Sequence, residues 1–259
     1  MLLFAVFNKT ILTRIDHIFF LLVLGLCSTV VNAFSNVQFT GKAYAVDSEQ
    51  LLYVEQHNIT LDKAGEYLSS RVSYSDPIGN VIVTKTLDFS TSQTMPKLTF
   101  IDKRINANIK VYPFNEAGQH TTRIFSQRGD ESNFSEVITE QPQTSIIDAG
   151  FDHYVMANWQ ALLAGKTIDM EFLALTRAEY IGFELEAKNS AEVGDDKLLV
   201  LSLRPRNFFI RLLMKPIYLT YDTGSKHLLR FEGLTNIERV EQGKGLGENY
   251  LARIEYTYP

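Results

Sequence analysis

Four polar residues fall on strands whose remaining residues read as apolar on one side. Glu55, His57, Ser70 and Lys85 share the parity of Leu51, Tyr53, Ile59, Leu61, Leu68, Val72, Tyr74, Val81, Val83 and Leu87. A carboxylate, an imidazole, a hydroxyl and an ammonium on an apolar face need compensation, because burying a charge is costly unless it is paired and hydrogen-bonded. Three chemistries suit such a group. It can be a satisfied internal network that fixes strand register. It can anchor the polar head of a ligand whose tail lies against apolar walls. Or Ser70 and His57 can act as nucleophile and base.

The grouping rests on two turns. With Leu61 opposite Glu66 across Asp62-Lys63-Ala64-Gly65, His57 faces Ser70 and Glu55 faces Val72. With Ser75 opposite Asn80 across Asp76-Pro77-Ile78-Gly79, Ser70 faces Lys85. Cross-strand neighbours lie about 4.5–5.5 Å apart at Cβ, so the spacing predicts a touching row. Leu98, Phe100, Asp102 and Arg104 extend the face into a further strand. The candidate ligand-binding set is therefore Glu55, His57, Ser70, Lys85 and Arg104.

Other chemistry is sparse. Ser70 lacks the G-x-S-x-G elbow that exposes a nucleophile, and a flat strand offers no oxyanion hole. His120, His153 and His227 stand far apart without H-x-x-x-H spacing, so no metal site is expected. Gly243, Gly245 and Gly247 lie between two strands, the setting of a hairpin tip rather than a phosphate cradle. Arg204, Arg206 and Arg211 with Phe208 and Phe209 form a basic-aromatic cluster, read as a packed turn with solvated arginines or a contact for an anionic head group. No catalytic residue, metal or cofactor is assigned, and the expected protein is not an enzyme.

The elements that must position these groups are mostly strands. Period-two alternation runs through Val37–Ala45, Ile168–Ala174, Ile181–Ala187 and Tyr250–Tyr258, the pattern of antiparallel strands with one wet face. One amphipathic helix is predicted, capped by Asp148, with Phe151, Val155, Trp159 and Leu162 on its apolar side and Gly165 at its end. A second helical turn is expected at Asn207–Met214, with Pro216 opening the next strand. Gln127–Ser145 reads as the least ordered stretch. The fold class is mainly β: a curved antiparallel sheet, half-barrel or open barrel, with a helix on its concave face.

Residues 1–33 have the layout of a secretory signal peptide. Lys9 and Arg14 precede the short apolar run Ile18–Leu26, and Val31-Asn32-Ala33 supplies the small residues of a cleavage site. Leu26 before Cys27 is wrong for lipoprotein processing, and an uncleaved anchor is the alternative to removal. Residues 34–259 form a single domain without cysteine, suited to the periplasm or the extracellular space. The 259-residue chain carries 25 basic and 30 acidic residues, a net charge of −5, which argues against a nucleic-acid partner.

Several phrases resemble an uncharacterised group of exported bacterial β-rich proteins: Gly41-Lys42-Ala43-Tyr44, Leu51–His57, Tyr74 with Asp76-Pro77 and Gly79, and Tyr218–Asp222 before Leu228–Gly233. The architecture is in turn similar to lipoprotein-carrier half-barrels of the LolA/LolB type. That resemblance implies an apolar cavity holding acyl chains, and transfers no binding residue. The resulting expectation is an exported, non-enzymatic binding protein for an apolar or lipid-like ligand, touching membranes only transiently. A structural or interaction module of the envelope with a filled core is the alternative, and a secreted hydrolase is the third reading.

Overall fold

The computed structural model describes residues 35–116, 118–129, 131–188, 195, 197–240 and 248–259. The expected signal segment and the Gly243–Gly247 tip lie outside the described residues. Fifteen strands join in one sheet. They are β1 (Ser35–Ala45), β2 (Leu51–Leu61), β3 (Tyr67–Ser75), β4 (Val81–Asp88), β5 (Lys97–Asp102), β6 (Ala107–Glu116), β7 (Gln119–Gln127) and β8 (Ser135–Glu140) in the first half. The second half has β9 (Ser145–Ile146), β10 (Ile168–Ala174), β11 (Glu179–Ala187), β12 (Leu198–Pro205), β13 (Ile217–Asp222), β14 (Leu228–Glu238) and β15 (Asn249–Thr257). Three helices are described: α1 (Gly150–Ala157), α2 (Trp159–Leu163) and α3 (Phe208–Leu213). Among the described residues no helix is long and apolar enough to cross a membrane.

The strand order is β8-β7-β6-β5-β4-β3-β2-β1-β15-β14-β13-β12-β11-β10-β9. The chain thus meanders from the middle of the sheet to one edge, crosses to the other edge, and meanders back. Pairing is antiparallel except between β9 and β10. Residues 141–144 alone connect the two edge strands. Five extended peptide steps reach at most about 17 Å, so the sheet must curl to bring its edges together.

Among the described residues no backbone ladder closes the curl. Side chains join the flanks instead. The Thr122 hydroxyl of β7 lies 2.8 Å from the Tyr180 hydroxyl of β11. Arg128, after β7, donates at 2.6 Å to both carboxylate oxygens of Glu238 in β14. The β10–β11 hairpin shows why. Met170 and Phe183 point into the cluster beneath the helices. Leu173 and Tyr180, on the opposite face of the same hairpin, pack into the β1–β7 core. The hairpin is apolar on both faces because the flanks overlap there: Phe172 packs with Met170 in one cluster, and the fully buried Leu173 belongs to the other.

The apolar side chains expected to hold a helix against the sheet do so. Phe151, Val155, Trp159 and Leu162 are all buried with the inner residues of β10–β13, and Trp159 meets Tyr221 edge-on at 5.8 Å. The helix is not continuous, however. It breaks at Asn158 into α1 and α2. Asp148 is not its cap: α1 has no side-chain cap, and Asp148 sits at φ 46° with its carboxylate turned toward the sheet. Gly150 has no room for a Cβ, which would strike the backbone of Thr94, and this close approach seats α1 inside the curl. The stretch Gln127–Ser145, expected to be the least ordered, contains β8, an edge strand exposed along most of its length.

Candidate functional site

The predicted row exists as a face but not in the predicted register. Both turns close one residue later than expected: Asp62 N–H donates to the Glu66 carbonyl at 2.8 Å, and Asp76 N–H to that of Asn80 at 2.9 Å. Asp62 and Asp76 each accept two further turn N–H groups. Bulges follow at Thr60/Leu61 and Tyr74/Ser75. The pairing therefore slides by two residues. His57 faces Val72, Glu55 faces Tyr74 and Ile59 faces Ser70. Lys85 faces Val72, and Ser70 faces Leu87. A slide of two keeps every side chain on its side, whereas a slide of one would have turned the set outward. Beyond the bulges the parity changes, and Leu52, Tyr67 and Ile82 pack against the core where Leu51, Leu68 and Val81 were expected.

Glu55, His57, Ser70 and Lys85 all point into the curl. Glu55 and Ser70 are buried, and the His57 and Lys85 side chains are 14% and 12% exposed. They do not form one row. His57 Nε2 lies 2.8 Å from Glu55 Oε2 along the same strand. Lys85 Nζ lies 2.7 Å from Asp148 Oδ1, and 5.7 Å from the centre of the Tyr74 ring. The Ser70–His57 pair that a hydrolase needs is not assembled, because Ser70 sits one row away. Arg104 stands apart from these pairs. It lies in the turn after β5 and grips Asp102, with Nη2 2.6 Å from Oδ2 and Nε 3.0 Å from Oδ1.

Each ion pair has a local cause. Glu55 needs space that Gly41 on β1 leaves open: a Cβ there would come within 2.8 Å of the Tyr256 ring and 3.1 Å of Glu55 Oε2. Phe39, opposite His57 on β1, stacks on the imidazole at 4.2 Å, and Tyr258 stacks on Phe39 at 4.7 Å. The imidazole is thus held flat between an aromatic wall and a carboxylate. Burial works against the Lys85 charge, but the Asp148 carboxylate and Tyr74 outweigh it and raise the ammonium above its ordinary pKa. Burial likewise raises Asp152, on the first turn of α1, although Tyr221 donates to its Oδ1 at 3.0 Å and His57 lies near enough to oppose the shift.

These groups border a cavity of about 60 Å³, lined by Phe39, His57, Ser70, Lys85, Asp152, Tyr256 and Tyr258 among others. Its walls carry polar groups on several sides, which suits a few ordered waters. A broader groove of about 840 Å³ lies on the outer face of β12–β15, where Lys188, Tyr218, Arg230 and Glu255 line it. Among the described residues no cluster of three or more His, Cys, Asp or Glu has the disposition of a metal site.

Asp148 and Asp152 were not in the sequence-derived set. Asp148 read as a helix cap and Asp152 had no assigned role, and only the curl brings α1 over β3 and β4. The sole sequence signal was the acid-rich entry Asp148–Asp152 to an otherwise apolar helix.

No protein-family model matches the chain, and no curated protein does. Among solved structures the chain is similar to a β-barrel-like protein of the domain of unknown function DUF1849 from Brucella abortus. Identity is 6% and the TM-score 0.41, over 87% of this chain and 98% of that one.

Proposed function

We propose that this chain is a non-enzymatic structural or interaction module of the bacterial cell envelope, exported by its N-terminal segment. The observation that carries this reading is the state of the interior. Each inward charge of β2–β5 has a dedicated partner: Glu55 with His57, Lys85 with Asp148, Asp102 with Arg104. The space left beside them is about 60 Å³. An acyl-chain carrier, as the LolA/LolB resemblance implies, needs a cavity of several hundred Å³. Two of these pairs are local, within β2 and at the end of β5, and the third joins the sheet to the helix entry. Lys85–Asp148 ties β4 to the segment entering α1, so the helix cannot leave the curl without stripping a buried ammonium of its counter-ion.

The larger concavity faces outward, across β12–β15, with ionic and aromatic groups mixed along it. That arrangement favours a scaffold that presents its outer surface to other envelope components. The test is gentle extraction of the exported protein followed by mass spectrometry for bound lipid, together with titration of a fluorescent fatty-acid probe. The module reading expects neither co-purified lipid nor saturable probe uptake. Stoichiometric lipid, or a probe displaced by Lys85→Met, would overturn it and restore the carrier.

A further inference from the structure

The six-residue helix α3 is built the wrong way round for water. Phe208, Phe209, Leu212 and Leu213 are 65%, 74%, 68% and 90% exposed, and none of its residues is buried. Ile210 is its least exposed residue, and its one charged side chain, Arg211, reaches back along the protein surface. Arg211 donates through Nε to the Pro205 carbonyl at 2.9 Å and through Nη2 to Glu184 at 3.3 Å. Arg206, just before the helix, pairs with Glu171 and Asp169. Burial of apolar area favours the opposite arrangement, and an exposed patch of adjoining large side chains marks a surface that something covers.

Nor is the tip a loose loop. The Asn207 side chain caps the helix, accepting from Phe209 N–H at 2.9 Å and Ile210 N–H at 3.2 Å. The cap and the two arginines hold the four apolar side chains out in a fixed array. Charge then selects the occupant. Between Lys197 and Tyr221 there are five cations, Lys197, Arg204, Arg206, Arg211 and Lys215, and no carboxylate, in a chain whose net charge is −5. Moving inward from the tip, the layers are apolar side chains, then cations, then the carboxylates of β10 and β11. Apolar groups beyond a belt of arginine and lysine match the acyl boundary and phosphate level of an anionic bilayer. The Arg211–Glu184 pair is solvent-exposed on both sides, so a lipid phosphate can take over that arginine at little cost.

We propose that α3 is a membrane-docking tip that inserts Phe208, Phe209, Leu212 and Leu213 into the surface of a bilayer containing anionic lipid, with Arg206, Arg211 and Lys215 at its phosphates. This inference stands on α3 alone and does not depend on whether the interior is filled. The experiment is co-sedimentation of the full chain with vesicles of phosphatidylcholine, with and without phosphatidylglycerol. Wild type binds the anionic vesicles and loses binding as salt is raised. The triple variant Phe209→Ser, Leu212→Ser, Leu213→Ser binds at least about tenfold more weakly while keeping its melting temperature. In a second measurement, Phe209→Trp places an indole at the tip, and brominated lipids quench it while leaving Trp159, buried on the inner side of α2, unaffected. Three results overturn the proposal: no binding by wild type, equal binding by the triple variant, or a lipid-independent dimer that the triple variant dissolves. The last would make a second copy of the chain the cover of the tip.

Discussion

The face made by β2–β5 and the tip made by α3 depart from the usual distribution of residues in opposite directions. One carries charge inward and the other carries apolar side chains outward. Inside, each charge is matched within the protein: Glu55 by His57, Lys85 by Asp148, Asp102 by Arg104. At the tip the cations are matched too, yet the apolar array is left without cover. The contrast separates two kinds of expense. A buried charge must be compensated by the fold itself, because nothing else reaches it. An exposed apolar group can be left for an outside surface to compensate.

The sharpest way to break the comparison is at Lys85. Lys85→Met strands the buried Asp148 carboxylate, and urea denaturation is expected to show a loss of about 3–5 kcal/mol. Asp148→Asn keeps a side chain that tolerates the positive φ of this position. The double variant should therefore recover part of the loss, with a coupling of about 1–3 kcal/mol. Additive effects would mean that the pair does not act as a unit. Glu55→Gln, which removes the charge beside His57, is expected to cost about 1.5–3 kcal/mol by the same measurement.

Titration sharpens the inner side further. Folding raises the pKa of Lys85, so its contribution is complete below the ordinary lysine value of 10.5. It is lost only as pH climbs through the higher folded value. The stability gap between wild type and Lys85→Met should stay constant through neutral pH and narrow only in strong alkali. Asp152 gives the same sign in a lower pH window. Burial raises its carboxyl pKa, so stability falls as pH rises from the unfolded carboxylate range through the raised value, then levels. Asp152→Asn can still accept from Tyr221 and should remove that slope, read from melting temperatures across acidic pH.

The smallest effects belong to the outer side. The serine substitutions in α3 are expected to change folding stability by no more than about 0.5 kcal/mol, because those side chains touch little. Tyr180→Phe removes one hydrogen bond from the overlap of the flanks and should cost about 1 kcal/mol. A large loss at α3 would show that its apolar residues support the core, and the inside–outside contrast would fail.

How far this was legible follows from which forces are local. Parity was legible: alternation alone placed Glu55, His57, Ser70 and Lys85 inward, because side-chain direction depends only on odd and even positions. Register was not, because it depended on where Asp62 and Asp76 closed their turns and on two bulges that alternation cannot reveal. The helix and its four inward apolar residues were legible from spacing. Its break at Asn158, and the turning of Asp148 toward Lys85, were not, since both follow from contacts between distant segments. Arg104 shows the limit most plainly. Parity carried it onto the face, but β5 ends at Asp102 and the turn gives Arg104 to its near neighbour.

The pairing of β1 with β15 sets the order in which this protein can mature. The first strand of the sheet takes its second neighbour from the last, with Thr40 facing Thr257 and Ala45 facing Ala252. Until Asn249–Thr257 has left the ribosome, the middle of the sheet is a gap with two raw edges, and neither meander can bury its inner face against the other. Such long-range closure delays folding. The two meanders therefore become one sheet only when Asn249–Thr257 pairs on both of its sides, with Ser35–Ala45 and with Leu228–Glu238.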